Sequence, residues 1–142
     1  MVIDTIPALH KTSGNTLFNG AVTGTGDAKG IKPTAGSNSV TILALITMAN
    51  AADLTLSIVT ADDADGTTPV AIAKEVIVYK NDVRQTDAKS FAVTDASGSF
   101  TVAFCVPSVL IPAGKYICLS FANSNDANIL SAVALDQAYY SA

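Results

Sequence analysis

The chain has 142 residues and a mass of 14.5 kDa, the size of one ordinary domain. Hydrophobic residues make up 49 % and the mean hydropathy is +0.40, which excludes wholesale disorder and allows a real core. Charged residues are only 14 %, the net charge is −4 and no run of Lys or Arg occurs, so nucleic acid is not the expected partner.

The N-terminal residues lack a basic segment followed by an apolar one, so no signal peptide is visible. Residues 1–36 read as an N-terminal arm or loop-rich segment, broken by Gly14, Gly20, Gly24, Gly26, Gly30 and Gly36. One short strand is expected at 16–23. Leu17, Phe18 and Val22 are the segment's apolar anchors and the candidate contacts to a partner. Residues 37–142 read as the folded domain.

Period-two alternation dominates from Val40 onward. Residues 40–49 are apolar on both phases, which predicts a strand buried on two sides, with a short helix as the alternative. With Thr41 and Thr47 inside it, this run is about half the twenty residues a membrane span needs. Leu54, Leu56 and Ile58 form one stripe, and Phe100, Val102, Phe104 and Val106 a second. Ile117, Leu119 and Phe121 form a third. Weaker strands are expected at 69–73, 75–79, 89–94 and 129–138. Asp, Asn, Ser and Gly cluster between these runs, for example at 62–66, 95–98 and 123–126, as turns require. The pattern predicts an all-β chain, a β-sandwich of about eight antiparallel strands and of the jelly-roll kind.

Few residues offer chemistry. His10 is the sole histidine and stands near the N-terminus, so neither a metal cage of several histidines nor a Ser-His-Asp triad is expected. Asp62, Asp63 and Asp65 before Gly66 invite comparison with a calcium loop. Aligning Gly66 on the invariant glycine puts Ala61 and Ile72 at two ligand positions, so an acidic hairpin turn is the expected reading. Cys105 and Cys118 lie on the phases opposite the apolar stripes. In a hairpin they would face each other, and as thiols of a reducing cytosol they are expected to be free. No phosphate-binding or dinucleotide fingerprint occurs. No catalytic, metal or cofactor-binding residue is therefore assigned, and no enzyme activity is expected. Tyr139 and Tyr140 are the best candidates for exposed aromatics, suited to packing a final strand on a neighbour or to stacking on a sugar.

A monomer of this mass exposes about 6,900 Å², over which 8 basic and 12 acidic side chains are thinly spread. Such a surface points to an assembly component. The stretch from Ile111-Pro112-Ala113-Gly114 through Tyr116-Ile117-Cys118-Leu119-Ser120-Phe121, followed by Ile129-Leu130-Ser131-Ala132-Val133-Ala134-Leu135-Asp136, resembles tailed-phage capsid decoration or cement proteins. With its short length and Gly/Thr-rich start, the chain is similar to the jelly-roll cement proteins of Bordetella-type short-tailed phages, from about Ser39 onward. The resemblance implies a virion protein, assembled in the host cytoplasm, that sits on the outer capsid surface and cements major capsid protein subunits. It also implies self-association as a dimer or trimer. The alternative is a carbohydrate- or receptor-binding sandwich module.

Overall fold

Alternating apolar and hydroxyl-bearing side chains commit most of this chain to strands, because an alternating segment can bury one face only when it is extended. The computed structural model describes residues 16–22, 24–49, 53–123 and 126–138. Among them are eleven strands: β1 (Thr16–Ala21), β2 (Gly24–Ile31), β3 (Ser37–Met48), β4 (Leu54–Ala61), β5 (Val70–Ala71), β6 (Ile77–Lys80), β7 (Val83–Arg84), β8 (Ser90–Val93), β9 (Gly98–Pro107), β10 (Tyr116–Asn123) and β11 (Ile129–Ala138).

These strands form two antiparallel sheets. The larger has the order β1-β11-β3-β9-β6-β7, and the smaller runs β2-β10-β4-β5 with β8 also on β4. β5 and β8 divide one edge of β4 between them, β5 opposite Val59 and Thr60 and β8 opposite residues 54–57. The short β5, β6 and β7 are additions to a frame of eight strands, β1-β11-β3-β9 against β2-β10-β4-β8. From β1 to β4 the chain crosses between the sheets at every step, and from β8 to β11 it crosses back in the same way. This is the double Greek key of a jelly roll.

The core lies between the sheets. Val40, Ile42, Ala44, Ile46 and Met48 of β3 meet it, with Val102, Phe104 and Val106 of β9 and Leu130, Ala132 and Ala134 of β11. Leu54, Leu56, Ile58, Ile117, Leu119 and Phe121 approach from the other sheet, and all of these are buried. Each large side chain among them contributes about 1.5–3 kcal/mol by leaving water. The three expected stripes are thus core, except that Phe100, at the start of its strand, is half-buried.

Three expectations need correction. The short strand expected at 16–23 is β1, but residues 16–21 and 24–31 do not form an arm: they are edge strands, one in each sheet. β1 pairs with β11 and β2 with β10, so the sandwich needs both to complete its frame. Leu17 and Val22 are buried in the chain's own core. Phe18 is half-buried and packs its ring 4.9 Å from that of Phe121. Those side chains are therefore not free to dock on a partner. Second, β3 is buried on one face only, because a sheet in a two-layer sandwich has one inner side. Third, Cys105 on β9 and Cys118 on β10 belong to different sheets and do not face each other across a hairpin. Neither forms a disulfide. His10, Tyr139 and Tyr140 lie outside the described residues.

Glycine explains why β2 reads as a loop. A Cβ at Gly26 would lie 2.5 Å from Cζ of Phe121, and one at Gly30 would overlap the Cys118 sulfur. The two glycines let β2 close onto β10 while that strand keeps large side chains.

Candidate functional site

The distinctive surface is the outer face of the larger sheet. Since Val40, Ile42, Ala44 and Ile46 point inward, Thr41, Leu43, Leu45 and Thr47 point outward. Registers place their neighbours. Leu43 stands between Ala103 and Val133, and Tyr79 follows beyond Ala103. In the next row Ile77, Cys105, Thr41 and Leu135 stand side by side. On the other flank Leu45 lies between Thr101 and Ser131, and Thr47 between Ser99 and Ile129. None of these positions carries a charge. Leu45 and Ile129 stay 49 % and 47 % exposed, where a solvent-facing sheet surface ordinarily places polar residues. The apolar second phase of 40–49 was the sequence signal for this face. Tyr79, Ile77, Val133 and Leu135 were not singled out, because their stripes carry meaning only once register sets them beside β3.

Charge begins where the face ends. Arg84, beyond Tyr79, bonds Asp87 at 2.7 Å. Lys80 bonds Asp95 at 2.5 Å and lies 4.8 Å from the centroid of the Phe100 ring.

The smaller sheet is covered differently. The 62–69 segment joins β4 to β5 as a hairpin, as expected of an acidic turn, and folds back over the outer face. The Ala64 carbonyl accepts from the Gly30 N–H at 2.9 Å, and the Cys118 thiol donates to the Asp63 carbonyl at 3.9 Å. Cys118 is buried as a result, although its strand phase points outward. Lys29 holds Asp65 at 2.6 Å, and Lys115 holds Asp62. Asp63 turns its oxygens into its own loop, accepting from the N–H groups of Asp65 and Thr67 and from the Thr67 hydroxyl. The Lys115 hydrogen bond holds the Asp62 carboxyl below the usual range, with Thr68 adding to it. Bonds from Thr67 do the same for Asp63. The hydrogen bond to Asp65 raises Lys29. The acids are thus engaged by protein donors. Among the described residues no group of three or more His, Cys, Asp or Glu side chains could hold a metal ion.

A cleft of about 190 Å³ lies between Lys32, Pro33, Thr34 and Ser37 on one side and Ser108, Ile111, Pro112 and Lys115 on the other. It is smaller than the roughly 300–1,000 Å³ of ordinary ligand pockets. Asp136 ties its wall together, accepting from the Thr34 N–H at 2.8 Å, the Thr34 hydroxyl at 2.9 Å and the Ser37 hydroxyl at 2.5 Å. Ser37 and Ser108 share a further bond of 2.8 Å. The arrangement is a clasp between the β2–β3 turn and β11.

Among the described residues no helix is long and apolar enough to cross a membrane. No family model matches the chain, and no curated protein matches it in sequence.

Proposed function

We propose that this chain is a virion structural protein that decorates the exterior of a capsid and cements its major capsid protein subunits. The observation that carries the reading is a jelly roll whose widest outer face presents aliphatic and hydroxyl side chains without charge. A free-floating domain gains solubility from charge on such a face, whereas a component that is permanently covered does not need it. The resemblance of residues from about Ser39 onward to phage cement proteins supports the same reading. Many modest contacts repeated over a symmetric shell bind firmly through multivalency, so no deep pocket is required of the chain.

The test is to mix the purified chain with shells assembled from the major capsid protein of the same genome. Saturable co-sedimentation and a higher shell dissociation temperature are expected. No co-sedimentation at micromolar concentration, with both immature and expanded shells, overturns the reading. Retention on a glycan array in place of shell binding would favour the carbohydrate-binding alternative.

A further inference from the structure

We infer that the cleft between the β2–β3 turn and the β9–β10 connection is a subsite for one carboxylate side chain, glutamate or aspartate, of a protein partner. The inference rests on the cleft alone and does not depend on the cement reading.

Three short turns bound the cleft. The Ser37 N–H bonds the Thr34 carbonyl, the Ile111 N–H that of Ser108 and the Lys115 N–H that of Pro112, each at 3.0 Å. Asp136 fastens the first turn to β11, so the walls stand formed before a ligand arrives. At about 190 Å³ the space is too small for a cofactor and fits one side chain. Its donors decide which. Thr34 and Ser37 give their hydroxyl protons to Asp136, so the bond between Ser37 and Ser108 takes its proton from Ser108. With the Thr34 N–H as a third donor, the Asp136 carboxylate is answered within the wall. The donors that remain are ammonium groups and bare backbone. Lys32 is exposed, and among the described residues no carboxylate pairs with it. On the facing wall Lys115 has three N–H donors, of which Asp62 engages one. Gly36 and Gly114 take the left-handed position of their turns, with φ of 79° and 80°, and a Cβ at either would meet nothing within 4 Å. Among the described residues neither glycine N–H has a backbone acceptor. Open N–H groups with an ammonium group on each wall suit an anion. A carboxylate can accept from them through both oxygens, whereas an apolar side chain would leave them without a partner. Val109, next to Ser108, is 88 % exposed. It offers an apolar contact to the chain on either side of the acid, which assigns the carboxylate to a polypeptide over a free small acid.

The amide resonances of Gly36 and Gly114 in the isotope-labelled chain report occupancy as a blocked Ala-Glu-Ala tripeptide is added. Saturable shifts at both glycines are expected, with a dissociation constant of about 1–20 mM. A blocked Ala-Gln-Ala tripeptide and acetate should each bind at least about fivefold more weakly. Lys32→Ala should weaken binding of the glutamate tripeptide by a similar factor. Lys74, an exposed lysine between β5 and β6, is the control, and Lys74→Ala should leave binding unchanged. No saturable shift by about 50 mM overturns the inference. So does equal binding of the glutamine tripeptide, or binding that survives Lys32→Ala. Acetate that binds as tightly as the glutamate tripeptide overturns the assignment to a protein partner. The probes contain no shell protein, so the cement reading stands or falls by its own test.

Discussion

At the scale of the residue, two small features hold the smaller sheet together. Gly26 leaves room for the Phe121 ring, which also packs on Phe18. Gly26→Ala is expected to lower stability by about 1–3 kcal/mol, because the added methyl forces that ring out of place. Chemical denaturation measures it, and a loss below about 0.5 kcal/mol would mean the ring moves aside freely. The second feature is the acidic loop over Cys118. Asp62 and Asp63 have folded pKa values below their ordinary ones. Their contribution is therefore complete above about pH 4 and is lost as the pH falls through the lower folded values. Lys29 is raised, so its contribution is present at neutral pH and is lost only at strongly alkaline pH. In a Cys105→Ser background, Cys118 should resist an acid-active disulfide reagent near pH 5 and react several-fold faster near pH 2.5. Equal protection at both would show that the Asp63 carbonyl contact and the strands suffice without the ion pairs.

At the scale of the element, alternation was legible wherever one face of a strand is apolar and the other is not. β4, β9 and β10 follow from their stripes, and β11 has the expected bounds. β2 was not legible, since the glycines that let it approach Phe121 and Cys118 are the residues that signal turns. β7 is two residues long and too short to carry a pattern. The candidate surface was half legible. β3 announced an apolar second face, but sequence cannot say whether the same chain covers it, and the described residues leave Leu45 and Ile129 half-exposed there. Leu17, Phe18 and Val22 misled for a related reason: anchors in a glycine-rich segment look the same whether they dock on a neighbour or on their own core. Removing residues 1–36 strips β1 from β11 and β2 from β10, leaving Phe121 uncovered and two sheet edges unpaired. The truncated chain is expected to be insoluble or to lack a cooperative melting transition. A melt like that of the full chain, followed by circular dichroism, would show that the remaining strands are a sufficient frame.

At the scale of the whole molecule, charge is segregated rather than merely scarce. β3, β4, β8, β9 and β10 contain no charged residue, and the described ion pairs involve loops or strand ends. This segregation makes the response of shell binding to salt diagnostic. Binding driven by opposite charges weakens as ionic strength rises, since screening shortens the reach of each ion to about 3 Å at 1 M. Binding through the uncharged outer face of the larger sheet would draw on apolar burial, which salt does not screen and which strongly excluded salts strengthen. Under the proposed function, the dissociation constant for shells, measured by co-sedimentation, is therefore expected to stay level or to fall between about 50 and about 500 mM sodium chloride, and to fall further in sulfate. A tenfold rise over that range would mean that ions carry the contact. The contact surface would then have to include the charged loops, away from the uncharged centre of the larger sheet.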